Sequence, residues 1–262
     1  MSFAYADWST RAQCVYLRTY SRALTESGSE FETWDATIRR VIRHQAWLWE
    51  RAKGISLSSS EIQELDQLME LMLQRKAFPS GRSLWLGGTE ISRKIESCGF
   101  NCSFTTVKTV FDLVDILWLL LQGVGVGFQP ISGVLNGFMR PIPEIEIIRS
   151  TRTMKGGAEQ NTETWLSTEK VWVLQVGDSA KAWAKAVGKL IAGKYPARKL
   201  ILDLSQIRPA GQRLKGYGWI SSGDSQMAIA LKGICDVLNK SAGKLLSVLD
   251  ILDIVNWMGT VL

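Results

Sequence analysis

Residues 78–90 read FPSGRSLWLGGTE, residues 100–104 read FNCSF, and residues 110–128 read VFDLVDILWLLLQGVGVGF. Paired glycines after LWL are costly unless the backbone turns or is closely approached, so Gly87 and Gly88 are turn residues. Asn101 to Phe104 has the alternation of a short strand, with Asn101 and Ser103 on one face and Cys102 on the other. From Val110 to Leu121 the apolar spacing is helical. Asp112 and Asp115 interrupt it, and about 18 apolar residues would be needed to cross a bilayer, so this is a buried helix. Gly123, Gly125 and Gly127 then end the helix and leave bare backbone where a sugar or phosphate could lie close. Taken singly, these signals are weak. A lone cysteine is commonly buried filler, and GVGVGF is not the GxGxxG fingerprint and follows a helix rather than a strand.

Upstream, residues 12–76 read as helical. Trp34, Ile38, Val41, Ile42 and Trp49 form an apolar face, with Arg39, Arg40 and Arg43 opposite. Gly54 to Ser60 is a turn, Ser60 and Gln63 form a capping box, and Leu65, Leu68, Met69, Met72 and Leu73 form a second stripe. His44, the only histidine, reads as a helix-surface residue. Downstream the character changes. Residues 144–150, 170–176 and 199–205 are short β-rich runs, with a helix starting at Asp178 or Ser179, and this alternation predicts parallel sheet. Two long loops, Thr151–Thr168 and Arg208–Gly223, are expected to be functional. The second carries Arg208, Arg213 and Lys215 among glycines that include Gly216 and Gly218, and it ends before a helix at Asp224 or Ser225. A last helix presents Leu245, Val248, Leu249, Leu252, Val255 and Met258.

At 262 residues, with 46% hydrophobic and 21% charged residues, the chain fits a large domain plus a smaller module rather than a disordered protein. MSFAYADWSTR lacks a long apolar core and a small-residue cleavage site, so no secretory leader is expected. Four cysteines, Cys14, Cys98, Cys102 and Cys235, make no disulfide framework and no zinc site. A reducing cytoplasm is expected, a host's if the source is viral. The net charge of +6 is scattered. Lys181, Lys185 and Lys189 make a solvated helix stripe, and no nucleic-acid-binding motif accompanies them. The mild excess suits an enzyme of nucleoside triphosphates.

In this order, FPSGRSLWLGGT, then NC with an aromatic two residues on, then GVGVGF resemble the N-terminal half of the adenosylcobalamin-dependent, monomeric class II ribonucleoside-triphosphate reductases. VYLRTYSRAL with ETWDATIRRVI, VGDSAKAW, and LILDLSQIRPAGQRLKGYGWISSG resemble three further stretches of that family in the same order. The resemblance implies an α/β fold. A helical domain (1–77) would precede the first half of a ten-stranded reductase barrel (78–262), with an effector-loop insertion at about 140–223. It implies that Cys102 is one of two reducing thiols, that Ser80 and Asn101 line the ribose, and that Gly123, Gly125 and Gly127 lie near the substrate. Arg208, Arg213, Lys215, Gly216 and Gly218 would belong to a loop between a deoxynucleotide effector and the substrate base.

The implied cofactor is adenosylcobalamin, bound mainly by the half this chain does not contain, whose cobalt–carbon homolysis supplies a thiyl radical on a cysteine of that half. The implied partners are that half on a second chain, a nucleoside triphosphate, a dNTP effector and a thioredoxin-like reductant, with no membrane and no nucleic acid. Cys98 departs from the family pattern. Two other readings are a non-catalytic nucleotide-binding remnant and, third, a basic nucleic-acid-binding protein.

Overall fold

The computed structural model describes residues 8–25, 29–212, 214 and 220–262. The described residues divide into two units, the first ending at Asn101 and the second starting at Cys102.

The first unit is helical: α1 (Thr10–Val15), a π-helical turn (Tyr16–Tyr20), α2 (Trp34–Lys53), α3 (Ser59–Leu73), α4 (Gly81–Leu86), α5 (Glu90–Lys94) and a 3₁₀ turn (Glu96–Gly99). The helical reading of 12–76 does not hold after Tyr20, where Ala23 and Phe31 form an antiparallel bridge and Thr33 caps α2. The apolar stripe of α2 buries Ile38, Val41 and Ile42 against Leu65 and Met72 of α3 and Leu84 of α4.

Two residues of α2 depart from the sequence reading. Arg40 does not face solvent. It reaches over the helix to the buried Glu32, donating from Nε at 2.8 Å and Nη2 at 3.0 Å, and also donates to the carbonyls of Gly87 and Leu84. His44 is 7% exposed, with its ring stacked on Trp47. Three residues beyond Val41, it falls on the buried stripe rather than the surface.

The cap of α3 also differs. Two overlapping boxes are possible, and the one formed is Ser58 with Glu61, not Ser60 with Gln63. The charged member prevails because its carboxylate accepts from the Ser58 backbone N–H and from Lys53 Nζ together.

The second unit begins with β1 (Cys102–Val107), α6 (Val110–Leu121) and β2 (Gly125–Pro130), with β1 and β2 paired in parallel. Then come β3 (Glu144–Ile148), β4 (Thr162–Leu166), β5 (Val171–Gln175), α7 (Ala180–Ala192), β6 (Lys199–Asp203), α8 (Gly223–Lys240) and α9 (Val248–Gly259). Their sheet has the order β3-β6-β5-β4, parallel except for β4. The α/β class and the runs at 144, 170 and 199 therefore appear as expected.

The loop expected over 151–168 is only partly a loop, since it contains β4. TETWL alternates, but its outward Thr162 and Thr164 masked a strand that Trp165 secures by stacking on Tyr195 at 5.0 Å. Helix α8 begins one residue earlier than expected. In α9 the buried face is Ile251, Ile254, Val255 and Met258, whereas Leu245 and Leu249 are exposed. The boundary explains the shift: Ser247 caps the helix with Asp250, so Leu245 precedes it.

Removing one partner of a buried ion pair leaves an uncompensated charge. Arg40→Met is expected to destabilise the helical unit by about 3 kcal/mol, read as a lower urea midpoint, while the exposed Arg39→Met changes it little. The Lys53 ammonium, then the Ser58 backbone and hydroxyl, hold the Glu61 carboxyl down at about 2 from an ordinary 4.5. A depressed carboxylate adds stability that is present above its unfolded value and lost as pH falls through the folded one. The α3 cap is therefore expected to weaken between about pH 4.5 and 2, followed by the Glu61 carboxyl shift in NMR.

Candidate functional site

The pairing of β1 with β2 puts Cys102 opposite Gly125, Phe104 opposite Gly127 and Thr106 opposite Gln129. Side chains alternate in burial along both strands, so Cys102 and Phe104 share the exposed face while Val107 is buried. Gly125 and Gly127 are strand residues, not helix-ending ones as the sequence reading had them. Only Gly123 ends α6, at φ +74° with its N–H on the Leu120 carbonyl. A side chain at Gly127 would come within 3.2 Å of the Phe104 ring. Glycines on this face keep the surface beside the thiol open to backbone approach.

The cysteines divide by environment. Cys102 and Cys14 are exposed, and Cys98 and Cys235 are buried; all are free thiols. Cys98 packs with Trp85 and Leu86, and burial pushes its thiol up against the opposing pull of Arg82. Cys235 lies wholly within α8, and burial, then Asp236, pushes it further still. A protonated, buried thiol is inert. The departure at Cys98 therefore belongs to packing, and Cys102 is the thiol offered on a strand face beside glycine.

Ser80 and Asn101 belong to the helical unit. Ser80 is the N-cap of α4, accepting from the Ser83 N–H at 3.2 Å, and it is exposed. Asn101 Oδ1 accepts from Arg82 Nε at 2.9 Å. That guanidinium also donates to the Cys98 carbonyl and lies over Trp85, 5.7 Å from the ring centroid. The side chain of the SGR turn thus orients the residue just ahead of Cys102.

A second polar cluster lies at the C-terminal ends of β3, β5 and β6, where loops of a parallel sheet gather functional groups. Arg208 donates from Nε to Asp178 Oδ2 at 2.8 Å and from its backbone N–H to Oδ1 at 3.1 Å. The start of the loop is thereby tied down. Arg152 donates to the Ser205 carbonyl and Gln206 Oε1. Asp224 receives Arg149 Nε at 2.6 Å and the Ser150 N–H at 2.9 Å. Burial works against ionisation at Asp224, but these donors outweigh it and hold its carboxyl below the usual range.

The sequence reading missed Asp178, Arg152 and Gln206 as a group. Its one legible signal was Gly156-Gly157, where any Cβ would lie within about 2 Å of Asp178 Oδ2 and Gln206 Oε1. Arg213, Lys215, Gly216 and Gly218 fall outside the described residues.

The ribonucleotide reductase alpha domain matches residues 4–89, and the insertion domain of B12-dependent ribonucleotide reductase matches residues 146–238. The chain belongs to the B12-dependent ribonucleotide reductase family. Among its relatives is the adenosylcobalamin-dependent ribonucleoside-triphosphate reductase of Lactobacillus leichmannii, 30% identical over 96% of this chain and 39% of the relative. A putative enzyme of the same name from Mycobacterium phage D29 is 28% identical over 90% of this chain and 34% of its own length. The crystal structure of a B12-dependent, class II ribonucleotide reductase superposes with a TM-score of 0.73 at 27% identity, over 95% of this chain and 40% of that one. This member of the family thus spans about two fifths of the length of the curated relatives it matches.

Adenosylcobalamin stands in the relatives' names, and the insertion domain of the B12-dependent reductases is present here. Among the described residues no three His, Cys, Asp or Glu side chains gather as metal ligands. His44 Nδ1 is buried without a hydrogen-bond partner among them, and burial, then Arg93 and Arg40, lowers its basicity. These residues do not fit as cobalt ligands. No helix among the described residues is long and apolar enough to cross a membrane.

Exposure sets the order of thiol reactivity. Maleimide labelling of the native chain, read by peptide mass spectrometry, is expected to modify Cys102 and Cys14 at once and Cys98 and Cys235 only after denaturation.

Proposed function

We propose that this chain supplies the N-terminal part of a split class II ribonucleotide reductase, with the rest of the barrel on a second chain, and converts ribonucleoside triphosphates to 2′-deoxyribonucleotides. The supporting observation is the exposed Cys102 thiol on the β1–β2 face, set opposite Gly125. The exposed Phe104, at 69%, and the open face of this two-stranded sheet are what a chain completing the barrel would cover.

A thiyl radical on the second chain removes the ribose 3′-hydrogen and, after the reduction, that cysteine returns the hydrogen to C3′, which restores the radical. The 2′-hydroxyl then leaves as water, taking a proton. Cys102 and a second thiol supply two electrons and two hydrogens in all, one to the departing water and one to C2′, and end as a disulfide. A thioredoxin-like dithiol returns that disulfide to two thiols. Ser80 and Asn101 hold the ribose, with Arg82 fixing the amide of Asn101. The bare backbone of Gly123, Gly125 and Gly127 lets the sugar approach. Residues 78–262 carry this chemistry and residues 1–77 serve as its helical support.

The loop from Arg208, with Arg213, Lys215, Gly216 and Gly218, couples a bound dNTP to the choice of base. Its anchor is the Arg208–Asp178 ion pair. A reducing cytoplasm, a host's where the source is viral, is the compartment that keeps such thiols ready. Under the second reading, a nucleotide-binding remnant, the loop binds dNTP and Cys102 has no role; the placement of that thiol on an open strand face favours the first.

The test mixes this chain with a chain carrying the remaining barrel and follows adenosylcobalamin-dependent reduction of CTP with a dithiol reductant. Activity is expected only with both chains present, and Cys102→Ser is expected to abolish turnover. Turnover by the Cys102→Ser pair at the native rate would contradict the assignment. The remnant reading instead expects dNTP binding with no turnover in any mixture.

A further inference from the structure

His44 is the only histidine in the chain, and the chemistry above does not use it. Imidazole is the one side chain whose ordinary titration falls between about pH 5 and 8. Its surroundings therefore decide how the protein answers mild acid.

The ring is buried on the inner stripe of α2 and stacked on Trp47, with centroids 5.5 Å apart. Its Nδ1 is enclosed without a hydrogen-bond partner. The turn that follows α4 closes over it. A side chain at Gly87 would meet His44 Cδ2 at 3.3 Å. One at Gly88, where φ is +78°, would meet the Arg40 carbonyl at 2.7 Å and His44 Cβ at 3.3 Å. The paired glycines thus let the turn lie directly on α2. Arg40 completes the contact by donating to the Gly87 and Leu84 carbonyls.

The charges that act on the ring are mainly of one sign. Arg40 of α2 and Arg93 of α5 oppose a proton there, and Glu96 of the 3₁₀ turn favours one. Glu96 is already paired with Arg51, and Glu32 with Arg40. Arg51 and Arg93 both lie over the Trp47 ring, 5.2 and 5.7 Å from its centroid. The Gly87-Gly88 turn brings no charged side chain. A neutral imidazole suits this place, whereas a proton would add a further buried cation and leave a donor unpaired.

We propose that His44 is an acid-sensitive latch: neutral, it holds the Gly87-Gly88 turn against α2, and protonated, it releases the segment from Leu84 to Ile95. Burial, then Arg93 and Arg40, sets the imidazole below its ordinary 6.5 while the latch is closed. Release lets it return toward that value. A group lowered by closure stabilises the closed state above its open-state value, and that contribution is lost as pH falls from there toward the closed-state one. The latch therefore loosens as pH falls below about 6.5. Helix α4 starts at the Ser80 cap and carries Arg82, which holds Asn101, so the latch puts the support of these residues under the control of acidity. It does not depend on the reductase reading.

The test is hydrogen–deuterium exchange of the full chain at about pH 7.5 and about pH 5.5, corrected for the intrinsic effect of pH on exchange. Protection of residues 84–95 is expected to fall by up to about tenfold at the lower pH, the ceiling for a group of ordinary value 6.5 kept neutral in the closed state. Helix α3 and the sheet of the second unit are expected to keep theirs. His44→Phe fills the site without a titrating group and is expected to abolish the pH dependence. Arg93→Gln keeps the histidine, deletes one opposing cation at an exposed position and is expected to shrink it. Unchanged protection of 84–95 in the native chain, an undiminished fall in either variant, or an equal fall in α3 and the second unit would each overturn the proposal.

Discussion

The parallel pairing of β1 with β2 across α6 is the constraint on which the candidate site depends. Parallel neighbours cannot be joined by a tight turn, so a helix must carry the chain back. Residues 110–121 provide it, with Thr109 and Asp112 forming its capping box and Gly123 releasing it at the far end. The register that results sets Cys102 against Gly125 rather than against a side chain. A slip of one residue would turn the thiol to the buried face.

That crossover is held by the elements after it. Helix α6 buries Leu113, Ile116 and Leu117 in the core shared with α7 and α9. Gly188 of α7 sits where a Cβ would meet Val114 at 2.5 Å, and Gly233 of α8 where it would meet the Trp257 indole of α9 at 2.3 Å. Small residues at these crossings let the helices approach closely. The insertion domain thus supplies packing as well as the polar cluster around Asp178.

Much of this was legible in the residues. The α6 pattern, the runs of β3, β5 and β6, and the start of α7 follow directly from period and caps, and the order of FPSGR, NC and GVGVGF points to the reductases. What escaped has physical causes. Gly125 and Gly127 read as a helix end because glycine has low strand propensity, and only the pairing with β1 makes them strand. Arg40 and His44 read as surface because their residue types are usually exposed. Glu32 draws Arg40 inward, and Val41's register puts His44 inside. Strand β4 was hidden by its outward polar residues, and the Asp178 cluster joins residues about 50 positions apart that no local pattern connects.

The proposed role of the Cys102 sulfur is to be consumed as one of a reducing pair completed by another polypeptide. It is tested most directly by disulfide mapping after a single turnover, with the reconstituted pair given CTP and no external reductant. One new disulfide per deoxynucleotide formed is expected, joining Cys102 to a cysteine of the second chain. Deoxynucleotide formed while Cys102 stays a free thiol would contradict it.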